Sequence, residues 1–358
     1  MTIKVLVVDD SATMRGLLAS IINSAPDLSV VGMADNPYQA RELIKTLNPD
    51  VLTLDVEMPQ MNGIEFLARL MRLRPMPVLM ISSLTEQGSA TTLQALELGA
   101  VDFLGKPKAQ TSAKLAEYAE EVCDKLRAAY GARHRLKLRA SLLATDPAPP
   151  ALSPRAKPST PLSKHVLDSR IIAIGASTGG TEAIKEVLIP LSEETPGIVI
   201  VQHMPEGFTK SFAQRLDSLA KIKVVESQGN ERILPGHAYL APGNAHLRIR
   251  KSGGSYFTEL SDSEPVNRHR PSVDVLFRSV AEVVGKNAVG VILTGMGKDG
   301  ALGLLQMHQA GAWTIGQNQE SCVVYGMPRE AALVGAVDEA LALGHISERL
   351  QAKLREAS

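Results

Sequence analysis

The sequence predicts two α/β domains in tandem: first a doubly wound sheet of five parallel strands, then an α/β domain with a mostly parallel sheet. Three observations carry this. Short apolar runs alternate with amphipathic segments from Ile3 to Leu126 and again from Ile171 onward. A stretch rich in Pro, Ala and Ser, from Thr145 to Ser163, separates the two series. In both halves polar residues follow directly on the apolar runs, at the strand ends where open parallel sheets hold their chemistry.

Ile3–Val8 reads as the first strand. Met14, Leu17, Leu18, Ile21 and Ile22 then recur at helical spacing, with Ser11 placed to cap them. Ser29–Ala34 is the second strand and Pro37–Leu47 a helix. Val51–Leu54, Val78–Ile81 and Asp102–Leu104 complete the strands, with helices at Gly63–Arg72, Ser89–Leu98 and Ala113–Leu126. The domain limits are set at residues 1–126 and 170–358, joined by a linker over 127–169. The linker cannot bury a core and is expected to be extended and partly stiff. Its start carries a basic segment, Arg127 to Arg139, which suits either a solvated face or contact with an anionic partner.

The chain has 358 residues, of which 44% are hydrophobic, so two real cores are feasible. Lys plus Arg equals Asp plus Glu at 38 each, which gives no electrostatic ground for a constitutive nucleic-acid or membrane-surface partner. The two cysteines, Cys123 and Cys322, form neither a disulfide framework nor a zinc pattern. The first residues turn acidic at Asp9 and so read as a strand, not a signal peptide. No apolar run is long enough to span a bilayer, and a soluble cytoplasmic protein is expected.

In the first domain Asp9 and Asp10 follow the first strand, Asp55 the third, Ser82 the fourth and Lys106 the fifth. Three carboxylates converging on one crevice repel unless a cation lies among them, and a hard oxygen-seeking ion such as Mg²⁺ meets that need. A nucleophilic carboxylate, a metal, a lysine and a hydroxyl are the parts required to place a phosphoryl group on Asp55. The motifs Val-Val-Asp9-Asp10-Ser, Leu54-Asp55-Val-Glu57-Met-Pro, Ile81-Ser82-Ser83 and Lys106-Pro107 resemble the receiver domain of two-component response regulators. The resemblance implies that Asp55 is the phosphoacceptor. It also implies that Asp10, Asp55 and the carbonyl of Glu57 hold Mg²⁺, with Asp9 in support. Lys106 would pair with the phosphoryl group, Ser82 would read it, and the Phe103 ring would follow the switch. A histidine kinase is the implied phosphodonor.

In the second domain Ile171–Ile174 is a buried strand, followed by the small-residue turn Gly175-Ala-Ser177-Thr-Gly179-Gly180 and a helix near Thr181. This spacing fits a nucleophile elbow, and it also fits a phosphate cradle at a helix start. Gly197–Val201 is a strand ending in Gln202-His203, and Phe208–Ala220 a helix. Lys223–Glu226 and Ala238–Leu240 are strands. His246–Lys251 and Tyr256–Leu260 form a hairpin around Ser252-Gly253-Gly254. Val273–Val284 is a helix, Ala288–Leu293 a strand ending in Thr294-Gly-Met296-Gly-Lys-Asp299-Gly300, Gly303–Ala310 a helix and Ala312–Gln317 a strand.

Ser177, His203 and Asp299 thus each lie just past a strand end, where an open sheet forms one crevice. A serine hydroxyl needs a base, and an imidazole fixed by a carboxylate supplies one. His237 and His246 are rival bases, and Asp299 is also placed to cap the helix after Gly300. The order Ser, His, Asp differs from that of α/β-hydrolases.

Ile-Gly-Ala-Ser177-Thr-Gly-Gly180, Val-Gln-His203-Met-Pro205, Val-Asn267-Arg-His-Arg-Pro-Ser-Val-Asp274, Thr-Gly-Met296-Gly-Lys-Asp299-Gly300 and Cys322-Val-Val-Tyr-Gly-Met-Pro-Arg329 resemble the catalytic domain of chemotaxis protein-glutamate methylesterases. The resemblance implies a Ser177–His203–Asp299 triad with the Met296 amide as oxyanion donor and no cofactor in this domain. It further implies hydrolysis of receptor glutamyl methyl esters, deamidation of receptor glutamines, and activation by phosphorylation of Asp55. The expected partners are methyl-accepting chemoreceptors and the histidine kinase, with neither nucleic acid nor membrane insertion.

Overall fold

The computed structural model describes residues 2–58, 61–83, 86–107, 111–133 and 162–356. Most of the expected linker, and the basic segment beyond Arg133, lie outside the described residues. The chain divides into two compact units, Met1–Arg155 and Ala156–Ser358.

The first unit alternates strand and helix: β1 (Ile3–Val8), α1 (Ala12–Ser24), β2 (Leu28–Ala34), α2 (Pro37–Leu47), β3 (Val51–Asp55), α3 (Gly63–Leu73), β4 (Val78–Ser82), α4 (Glu86–Glu97), β5 (Asp102–Gly105) and α5 (Ser112–Gly131). Among the described residues the sheet order is β2-β1-β3-β4-β5, with parallel pairing throughout. β3 and β4 are buried at every position, which explains why they read as unbroken apolar runs. The Ser11 hydroxyl accepts the Met14 amide and caps α1, an interaction worth about 1 kcal/mol. Within α5, Arg127 is held by Asp27 and Asp124, so the described start of the basic segment packs on its own unit.

The second unit runs α6 (Lys164–Ser169), β6 (Ile171–Ala176), α7 (Gly180–Leu188), β7 (Gly197–Gln202), α8 (Phe208–Leu219), β8 (Lys223–Glu226), β9 (His237–Leu240), β10 (His246–Ser252), β11 (Ser255–Ser261), α9 (Val273–Val283), β12 (Ala288–Ile292), α10 (Ala301–Gln309), β13 (Trp313–Gln317), α11 (Met327–Leu333), β14 (Glu339–Leu341) and α12 (Leu343–Glu356). Its main sheet has the order β14-β13-β12-β6-β7-β9-β8 and every pair is parallel. β10 and β11 form a separate antiparallel hairpin. α9 packs its apolar stripe, including the fully buried Leu276, Phe277 and Val280, into the core shared by the sheet and the hairpin. The central strands β6, β7 and β12 lie side by side, and their carboxyl ends form the crevice.

Candidate functional site

The β6–β7 ladder ends at the pair Ala176 and Gln202. Ser177 and His203 are the next residues on each strand, so they leave the sheet as neighbours. The His203 amide still donates to the Ala176 carbonyl at 3.1 Å, and the Ser177 amide donates to the Thr294 carbonyl at 3.0 Å, just past β12. Gly295 packs directly on this turn: a Cβ there would lie 2.8 Å from the Ser177 Cβ and 2.3 Å from the Met327 sulfur. Only glycine allows the β12 loop to approach the serine so closely.

His203 Nε2 lies 2.8 Å from Asp299 Oδ2. The Asp299 side chain is 1% exposed and collects further donors. Asn267 Nδ2 and Ser272 Oγ donate to Oδ1 at 2.7 and 2.8 Å, the Val273 amide donates to Oδ2 at 2.7 Å, and the Asp274 amide to Oδ1 at 3.3 Å. Burial alone would raise the pKa of this carboxyl. The hydrogen bonds from His203, Asn267 and Ser272 outweigh it and hold Asp299 well below the ordinary carboxylate value. An ionised carboxylate only accepts, so Nε2 carries a ring hydrogen, and in the neutral imidazole Nδ1 is the nitrogen with the free lone pair. Nδ1 is buried and without a hydrogen-bond partner among the described residues. The Ser177 hydroxyl makes no hydrogen bond to it, so the structure joins base to carboxylate and leaves the serine as an adjacent, unlinked group. The His269 ring stacks on His203 at 3.7 Å and 16°.

The rival bases are engaged elsewhere. His237 Nδ1 meets the Pro235 carbonyl at 2.9 Å. His246 is fully buried between the Glu264 carbonyl and the Ser272 amide. Gly300, not Asp299, is the N-cap of α10, and it makes no side-chain cap bond. Met296 is half-buried between Gly295 and Asp299, and its amide has no acceptor among the described residues.

In the first unit Asp9, Asp10, Asp55 and Lys106 meet at the ends of β1, β3 and β5. Lys106 Nζ donates to Asp55 Oδ2 at 2.7 Å and lies 3.4 Å from Asp9 Oδ2. Burial pushes Asp55 up to about 6; Lys106 opposes the rise and the nearby Asp9 adds to it. Burial raises Asp9 as well. Carboxylate oxygens of Asp9, Asp10 and Asp55 lie within 4.8 Å of one another, and beyond the 3.4 Å contact with Lys106 the buried Asp9 Oδ2 has no hydrogen-bond partner among the described residues. Clustered, incompletely satisfied hard oxygen donors fit a divalent cation such as Mg²⁺. The Glu57 amide donates to Asp55 Oδ1 at 3.2 Å, while its carboxylate accepts the Ser83 hydroxyl. The Ser82 hydroxyl is buried and directed at the Ser83 and Gly88 carbonyls, not at Asp55. Phe103 is buried, with Lys125 Nζ 5.7 Å from its ring centre.

Two family models match this chain: the response regulator receiver domain over residues 5–117 and the CheB methylesterase over residues 172–350. A protein-glutamate methylesterase/protein-glutamine glutaminase of Nitrosomonas europaea is 59% identical over 98% of this chain and 96% of its own. The chain belongs to the CheB methylesterase family. A similarly named protein of Burkholderia lata is 58% identical over the same shares. The Thermotoga maritima CheB methylesterase catalytic domain aligns with 40% identity and a TM-score of 0.50, over 51% of this chain and 97% of that one.

Several residues around this CheB-family site escape sequence reasoning. Asn267, Ser272 and the Val273 amide reach Asp299 from a loop without periodicity. The available signal is that Asn267 tolerates the left-handed backbone (φ 52°) it adopts there. Thr294 ties the crevice together, donating to the Thr178 carbonyl at 3.0 Å and receiving the Val324 amide at 2.9 Å.

Proposed function

We propose that this CheB-family chain hydrolyses glutamyl methyl esters on chemoreceptors, and deamidates receptor glutamines, by a serine acyl-enzyme route that adapts chemotactic signalling. The observation that carries the reading is the His203–Asp299 pair, which leaves a bare imidazole nitrogen beside the Ser177 turn. Ser177 Oγ attacks the γ-carbonyl of the methylated glutamate and His203 Nδ1 takes its proton. The Met296 amide steadies the oxyanion. The C–O bond to the methoxy group breaks and His203 protonates the departing methanol. Water then gives a proton to His203 and its oxygen attacks the acyl carbon; the bond from that carbon to Ser177 Oγ breaks, His203 returns the proton to Oγ, and the receptor leaves with a glutamyl carboxyl group. With a glutamine, ammonia is the first product.

In the receiver, Asp55 is the proposed phosphoacceptor, Lys106 the partner of the phosphoryl group, and Ser82 and Phe103 the residues that read it. Asp10, Asp55 and the Glu57 carbonyl would hold Mg²⁺, with Asp9 in support; bound there, the ion neutralises negative charge gathering on the phosphoryl oxygens. Millimolar Mg²⁺ is expected to raise the melting temperature of the chain, by the equivalent of about 1.4 kcal/mol at ten times its Kd. Asp10→Asn should abolish the rise. A wild-type melting curve indifferent to Mg²⁺ would argue against the site.

The proposed phosphodonor is a histidine kinase and the proposed location the cytoplasm. Among the described residues no helix is long and apolar enough to cross a membrane. The deciding assay is methanol release from methylated receptor membranes with and without a small-molecule phosphodonor. The wild type should be stimulated, and Asp55→Asn should show basal activity alone. Equal stimulation of both would refute the gate, and no methanol from either would refute the esterase.

A further inference from the structure

We infer that Gln202 is a positioning residue that sets the spacing between the nucleophile and its base, a reading that rests on the serine mechanism proposed above. The β6–β7 ladder stops at Ala176 and Gln202. One step beyond, the carbonyls of Ser177 and His203 have passed the last rung. The Gln202 side chain supplies a further one: its Nε2 donates to the Ser177 carbonyl at 3.0 Å and to the His203 carbonyl at 3.1 Å. A single amide nitrogen therefore joins the main chain of the serine turn to that of the histidine turn. The only other donor to either carbonyl among the described residues is the Gly180 amide, 2.7 Å from Ser177 O, and that bond stays within the serine turn.

Two further observations show that the arrangement is built, not incidental. Gln202 is only 3% exposed, and its Oε1 is buried without a hydrogen-bond partner among the described residues, a costly state for an amide oxygen. That oxygen occupies the place a side chain at position 180 would need: a Cβ there would lie 2.1 Å from it. Turning the amide over would set an oxygen against two carbonyls, so the observed orientation is the one that satisfies both. Gly180 admits it. The serine hydroxyl and the imidazole are not themselves bonded, so their separation rests on their backbones, and Gln202 adds to the His203–Ala176 main-chain bond a second link, from carbonyl to carbonyl.

The test is Gln202→Met, which keeps the bulk and removes the donor. Misplacement of reacting groups by about 1 Å costs on the order of 10²-fold. The expected result is therefore a fall of about 10- to 100-fold in kcat for methanol release with KM unchanged. Labelling of Ser177 by a serine-reactive phosphonate, measured well below the melting temperature, should slow by the same factor. Gly180→Ala, whose Cβ would press on the amide oxygen at 2.1 Å and on the Ala176 Cβ at 2.6 Å, should give the same pattern and serves if Gln202→Met does not fold. A merely structural role would lower the melting temperature and leave the labelling rate of folded protein unchanged; that result in either variant overturns the inference. If Ser177→Ala keeps its activity, the serine mechanism has failed; if only the Gln202 and Gly180 variants behave as wild type, the role of Gln202 alone has failed.

Discussion

Replacing Ser177 with alanine is expected to lower methanol release from methylated receptor by about 10³-fold or more, with the fold intact. The Ser177 hydroxyl makes no hydrogen bond among the described residues, and the residue is half-buried at the mouth of the crevice. Removing it strands no partner and opens no core cavity, so stability should change by less than about 0.5 kcal/mol. The loss should fall on kcat, because the hydroxyl contributes a bond only after substrate has bound. The residual rate would reflect the oxyanion donor and the shape of the crevice. A variant within about tenfold of the wild-type rate would remove the nucleophile from the mechanism.

Asp299→Asn should combine a loss of rate with a loss of stability. Five donors converge on the carboxylate: the His203 ring, the Asn267 amide, the Ser272 hydroxyl and two main-chain amides. A carboxamide offers one acceptor oxygen, and whichever way it turns its NH₂ faces a main-chain amide that can only donate, Val273 on one side or Asp274 on the other. His203 loses the acceptor that fixes its tautomer, a change that costs on the order of 10⁴-fold in kcat in the serine-protease precedent. The stranded donors should cost about 1–3 kcal/mol apiece where buried.

The pH dependence has a definite sign. The folded carboxyl titrates below its ordinary value of 3.8, so its stabilisation is complete above that value and is lost as pH falls through the depressed one. Urea unfolding should therefore show the gap between wild type and Asp299→Asn at full size at neutral pH and shrinking on strong acidification. A gap that widened with acid would contradict the assignment. The acid limb of the rate profile then reports a group other than Asp299.

Most strands were legible because central parallel strands are apolar on both faces, and their apolar runs break abruptly, β6 at Ala176-Ser177, β7 at Gln202 and β12 at Thr294. That ending also drew attention to Ser177 and His203, which the sheet order brings out of neighbouring strands together, whereas Asp299 comes later in the loop after β12. β14 was not legible, since Glu339–Leu341 is three partly exposed residues with no apolar run. α11 is only seven residues long, and α12 is not among the predicted helices although Ile346, Leu350 and Leu354 recur at helical spacing and are buried. The shell around Asp299 was hidden for a different reason. Asn267 and Ser272 lie about thirty residues away in the chain, and only the docking of α9 beside β12 brings them in. Gln202 reads as the last residue of a strand, and which way its amide turns is decided by two carbonyls that the sequence does not place.

The orientation of the His203 ring has a mechanical consequence. Nδ1 is attached to Cγ, next to the main chain, whereas Nε2 lies at the distal edge that Asp299 grips. A ring pinned at its root by β7 and at its tip by Asp299, itself held by the start of α9, has no lever arm with which to swing. Aim at the serine is thus a property of the scaffold, and correcting or spoiling it requires moving a strand or a helix, not turning a side chain.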